Sequence, residues 1–138
     1  MKMLVCHDGS ESAQSALEKS VAMFRSERPE IILVTVAEEP ADASSYDEAA
    51  FEAVRSEKEA DLREAADWVV KQGLDVDAVM AIGDPRKMLV EAVKKKKPDI
   101  VVIASRPPQG GVRFGNITVS VSDYLIHHIT DCPVLVMH

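Results

Sequence analysis

Ile31-Ile32-Leu33-Val34-Thr35-Val36-Ala37 is a stretch with one hydroxyl and no charge, made mostly of β-branched residues. Such side chains suit an extended backbone. A strand that is apolar on both faces belongs inside a sheet covered on both sides. The flanking sequence repeats the theme. Upstream, Met3-Leu4-Val5-Cys6-His7 is a short apolar run that stops at the turn cluster Asp8-Gly9-Ser10, which predicts a buried strand. Between the two runs, Ala13, Ala16, Leu17, Ser20 and Phe24 fall on one face at helical spacing. Ser10 or Ser12 would cap that helix.

Downstream, Glu38 to Ser45 is polar, contains Pro40 and reads as a loop. From Tyr46 to Gln72 the pattern is helical, with its best stripe at Leu62, Ala65, Ala66 and Val69 and with Gly73 at the C-terminal cap position. The earlier half of this segment is highly charged and weakly amphipathic, and is expected to be loop or frayed helix. Leu74 to Ile82 alternates apolar residues with Asp75 and Asp77, the pattern of a strand near an exposed edge. Asp84 and Pro85 suit an N-cap and a first helical position. Met88, Leu89, Ala92 and Val93 then make a buried helix face that closes at Lys94 to Lys97. Asp99 to Ala104 predicts another buried strand, Ser105 to about Ile117 a loop, and a start near Thr118 or Ser120 a helix with Val121, Leu125 and Ile129 inward. Pro133 to Met137 is the last strand.

The order βαβαβαβαβ, with strands apolar on both faces, predicts an α/β fold. The expected architecture is a doubly wound, five-stranded parallel sheet, strand order 3-2-1-4-5, with helices on both faces, all within one domain spanning residues 1–138.

The chain's 138 residues are enough to bury a core without disulfides or metal. Its 46% apolar content with 4% aromatics predicts an aliphatic core. A net charge of −7 argues against broad binding to nucleic acid or anionic membranes. No apolar run approaches the about 20 residues of a membrane span, and charge arrives too early for a signal peptide. The expected location is the cytoplasm. Cys6 and Cys132 lack metal-type spacing and read as small apolar residues of a reduced compartment.

In a doubly wound sheet a ligand sits outside the carboxyl ends of the strands, where the strand order reverses. Here that is between the first strand, ending His7-Asp8-Gly9-Ser10, and the fourth, ending Ser105-Arg106 and running into Pro107-Pro108-Gln109-Gly110-Gly111. Gly110 and Gly111 allow backbone N–H groups to approach an anion. Ser120 and Ser122 stand at a helix start, where free N–H groups favour phosphate. Arg106 and Arg113 add positive charge. The plain alternative is a loop and a helix cap. Asp8 has two readings: a hydrogen-bonding partner for a ligand, or a side chain that stabilises the turn with Gly9 and Ser10.

Other clusters carry blander readings. His127 and His128 point about 100° apart on a helix and do not share a metal; they read as surface or helix-end residues, with His7 at a strand end and His138 terminal. Cys6 and His7 point to opposite sides of a strand and make no nucleophile pair. Lys94 to Lys97 complements a helix C-terminus. The acidic helix from Asp47 to Asp67 reads as a solvated face. No catalytic or metal-ligating residue is assigned.

Along nearly its whole length the chain resembles the universal stress protein family. The resemblance is carried by Met3-Leu4-Val5-Cys6-His7-Asp8-Gly9-Ser10, the second strand ending at Val36, the Gly83-Asp84-Pro85 helix start, Pro98 to Arg106, Val119 to Tyr124, His127-His128, and Asp131 to Val136. Some members of the family bind ATP through a Gly-x-x-Gly-x9-Gly-(Ser/Thr) pattern after the fourth strand. The resemblance implies that Asp8 lies by the ribose or adenine and that Val36 lines the base pocket. Ile103, Ser105, Gly110, Gly111, Ser120, Val121 and Ser122 complete the nucleotide-site candidates. The chain departs from the pattern at Ala104, Pro107 and Val119, which stand at or near glycine positions. A β-branched residue at 119 takes room that glycine would leave to phosphate. ATP and AMP are the cofactor candidates, and the degenerate motif implies that their binding is weakened or absent.

The last strand is short and uncharged, and an exposed apolar edge is a pairing site. Family members dimerise by pairing their last strands, so a homodimer through Val134, Leu135 and Val136 is expected. The leading functional expectation is a non-enzymatic stress-response or signalling module. The alternative is an ATP-binding sensor or a slow ATPase or phosphotransferase using the same crevice, and a scaffold that has lost its ligand is a third. Phosphoryl transfer needs a metal ligand and a group that positions the nucleophile. Asp8 would serve to hold Mg²⁺, but no second carboxylate is assured nearby, and a Walker-type lysine is absent.

Overall fold

Parallel strands apolar on both faces must find helices for both sides, and the computed structural model of the chain places them there. It describes residues 1–38, 48–105 and 120–138. The strands are β1 (Lys2–Cys6), β2 (Glu30–Ala37), β3 (Val76–Ile82), β4 (Ile100–Ala104) and β5 (Val134–Met137). The helices are α1 (Glu11–Phe24), α2 (Glu48–Lys71), α3 (Pro85–Lys96) and α4 (Val121–His128). The sheet order is β3-β2-β1-β4-β5, every pairing parallel. Fold class and strand order are those the sequence predicts.

Alternation along each strand divides the core in two. Met3, Val5, Ile31, Leu33 and Val102 face α1 and α2, packing on Leu17, Val21, Leu62 and Val69. Leu4, Cys6, Ile32, Val34, Val101 and Ile103 face the other way, onto Leu89 and Val93 of α3 and onto Leu125 and Ile129. Edge strand β3 has no fully buried residue, as its alternation with aspartates suggests.

Helix starts obey local chemistry. Ser10, not Ser12, caps α1, its Oγ accepting the Ala13 N–H at 3.1 Å. Asp84 caps α3 with Pro85 following it, its Oδ1 accepting the Arg86 N–H at 3.0 Å. Ser120 caps α4, its Oγ accepting the Asp123 N–H at 3.1 Å. Ile129 is the α4 C-cap rather than a helical residue, but it is buried as predicted.

The long helix predicted over Tyr46 to Gln72 forms as α2, and its front half resolves the choice between helix and loop. The charged front half of α2 is continuous helix from Glu48 onward. Its Ala, Glu, Lys and Arg residues are strong helix formers. Arg55–Glu52 at 3.3 Å and Arg63–Glu59 at 3.8 Å add support at helical spacing. Such a 24-residue helix is about 36 Å long, longer than the strands it covers. Its buried residues, Leu62, Ala65 and Val69, all lie in the second half.

Candidate functional site

The turn after β1 is built from its own side chains. The Ser10 N–H donates to Asp8 Oδ1 at 2.9 Å, so Asp8 performs the turn role the sequence allows it. The Gly9 N–H donates to His7 Nδ1 at 3.0 Å. That nitrogen is therefore an acceptor, and the ring proton resides on Nε2, which donates to Gln14 Oε1 at 3.0 Å. His7 is buried at the end of β1, in keeping with the buried-strand reading of Met3 to His7; the hydrogen bonds on both ring nitrogens make burial tolerable. His127 and His128 do sit at a helix end, each Nδ1 donating to the carbonyl four residues earlier, at 2.7 and 2.8 Å.

Outside the carboxyl ends of β1, β2 and β4 lies a cavity of about 510 Å³. It occupies the reversal between β1 and β4, where the topology rule puts a ligand. Cys6, Val34, Val36, Ile103 and Ala104 supply its strand-end lining. Ser10 and Ala13 of the α1 start, Pro85 and Leu89 of α3, and Ser120, Val121 and Ser122 of the α4 start wall it. Asp8 and Glu38 bring carboxylates and Lys58 an ammonium.

Six of the sequence-predicted residues thus meet around one space: Asp8, Val36, Ile103, Ser120, Val121 and Ser122. Ser105 is not among the lining residues; its N–H donates to the Met137 carbonyl at 2.7 Å, and its neighbour Ala104 lines the cavity instead. Gly110 and Gly111 lie outside the described residues, as do Arg106, Pro107, Arg113 and Val119.

The start of α4 has the chemistry of an anion site. Ser120 Oγ and the Ser120 carbonyl take the N–H groups of Asp123 and Tyr124. The Val121 and Ser122 amides have no intrahelical acceptor, as in any first turn, and these residues border the cavity. The Ser120 and Ser122 hydroxyls are 3.2 Å apart.

Sequence reading missed Lys58 and Val54, both on the half of α2 assigned to loop or solvated face. A signal was present: Lys58 stands four residues before Leu62, on the extension of the same stripe. Its Nζ donates to the Asp8 carbonyl at 2.6 Å, pinning α2 to the β1 turn. Cys6 also lines the cavity, but burial pushes its thiol up to about 12, leaving it protonated and unreactive at neutral pH. Burial, with the Asp131 and Asp99 carboxylates behind it, pushes the Cys132 thiol up as well. Both cysteines are free. No cluster of three or more metal-ligating side chains occurs among the described residues.

Comparison with known proteins gives this geometry its context. The universal stress protein family model matches residues 1–138. The chain belongs to the universal stress protein family. It is 28% identical to a universal stress protein of Synechocystis, over 99% of this chain and 96% of that one. Among solved structures it is similar to a family protein from Burkholderia pseudomallei, with TM-score 0.76, 24% identity, and 99% and 94% of the two chains covered. It is also similar to a family protein from Arabidopsis thaliana solved with AMP bound, with TM-score 0.70, 22% identity, and 99% and 90% covered. These solved structures share the α/β fold described above. Among the described residues, no helix is long and apolar enough to cross a membrane.

Proposed function

We propose that this universal stress protein is a dimeric, non-enzymatic stress-response or signalling module that holds an adenine mononucleotide weakly in the β1–β4 crevice. The observation carrying the reading is the convergence of Asp8, Val36 and Ser120 to Ser122 on one cavity of about 510 Å³, within the size range of small-molecule sites. Val34, Val36, Ile103 and Leu89 offer an apolar bed for a base, and Asp8 offers a carboxylate for a ribose hydroxyl. The first-turn amides of α4 offer donors for phosphate. The AMP bound to the Arabidopsis relative is consistent with this class of ligand.

The degenerate loop argues against a strong hold on a polyphosphate. Ala104 and Val119 stand where glycines would let bare backbone approach the phosphate chain. ATP is therefore held no more tightly than AMP. Isothermal titration of the full chain with AMP and with Mg-ATP tests this. The expected result is measurable heat with AMP and no tighter binding of ATP. Tight ATP binding would remove the degenerate-loop reading, and no heat with either would remove the ligand. The non-enzymatic part is tested by phosphate release from ATP: turnover that Asp8→Ala abolishes would replace this reading with a slow ATPase.

A further inference from the structure

The cavity contains a lysine that forms no ion pair among the described residues. Lys58 stands among acidic neighbours on α2, with Glu57, Glu59 and Asp61 close in sequence. Yet none of the ion pairs formed among the described residues includes it. Its side chain instead turns to the cavity and, among the described residues, makes one hydrogen bond, to the Asp8 backbone carbonyl at 2.6 Å. An ammonium has three N–H donors, and the described residues occupy one of them. Holding a part-buried ammonium against one neutral carbonyl is a poor exchange for its water unless an anion joins it. A neutral donor would tether α2 to the turn equally well, so the charge itself calls for another purpose.

The other charged side chains on the described lining, Asp8 and Glu38, are both carboxylates. Without Lys58, the described charges of the cavity repel a phosphate.

We propose that Lys58 is the residue by which the crevice prefers a phosphorylated nucleoside to the free nucleoside, its ammonium donating to a phosphoryl oxygen. This rests on the mononucleotide reading above. A charge-assisted hydrogen bond to phosphate is among the stronger polar contacts, and its loss should weaken AMP binding about tenfold or more. Adenosine lacks the phosphate and should be indifferent.

The test is titration of adenosine and AMP into the native chain and into Lys58→Gln, whose amide keeps a donor but loses the charge. The expected result is a native preference for AMP that shrinks at least about tenfold in the variant, with adenosine affinity unchanged. Unchanged adenosine binding also reports that the variant is folded. Equal weakening of both ligands would make Lys58 a strut for the β1 turn and overturn the proposal, as would unchanged AMP affinity. Failure of the native chain to bind either ligand would remove the mononucleotide reading and this proposal with it.

Discussion

Gly9 sits at φ +87°, between two residues of the candidate site, in a region L side chains rarely adopt. A β-carbon there would also run into the Asp61 carboxylate on α2. Gly9→Ala must therefore strain the backbone and push Asp61 aside. The expected loss is about 1–2 kcal/mol of stability, read from the urea midpoint; a midpoint equal to that of the native chain would show that the turn relaxes freely. The Asp8-Gly9-Ser10 turn is plain in the sequence because these residue types form turns by local hydrogen bonding, here Ser10 N–H to Asp8 Oδ1. The Asp61 contact is not, because it joins positions about fifty residues apart and depends on how α2 lies across the turn.

At the scale of elements, caps were the most legible features. Ser10, Asp84 and Ser120 each bond an amide two or three residues ahead, so a short window of sequence holds the whole interaction. Helix α4 has only eight residues, too few for propensity alone to sustain it. Ser120→Ala is expected to cost about 1 kcal/mol, measured as a lowered denaturant midpoint; an unchanged midpoint would mean that packing of Leu125 alone holds the helix. The front half of α2 was the illegible element. Its exposed, charged residues give a weak amphipathic signal because they cover no sheet. Their helical state follows from strong helix formers, local ion pairs and continuity with the buried half, and it is this overhang that brings Val54 and Lys58 to the crevice.

At the scale of the molecule, β5 is an edge strand. The Pro133 and Met137 carbonyls accept from the Val101 N–H of β4 and from the Ser105 N–H just beyond it. By strand alternation the Val134 and Val136 amides face away from β4, toward the open edge. If this edge pairs two chains, Val136→Pro removes an outward donor and leaves the β4 ladder intact. The native chain is expected to scatter light as a dimer at micromolar concentration and Val136→Pro as a folded monomer; a native monomer would rule out the dimer. The sequence by itself determined the element order, the doubly wound sheet and the place where its order reverses, and it narrowed each of these helix caps to one or two residues, because these follow from periodicity and short-range hydrogen bonding. Only the tertiary structure decided that Lys58 reaches the Asp8 carbonyl and that Ser105 bonds the Met137 carbonyl while Ala104 lines the cavity. Those outcomes depend on packing between elements distant in the chain, and no local pattern encodes the direction in which a side chain at a strand end or on an overhanging helix finally turns.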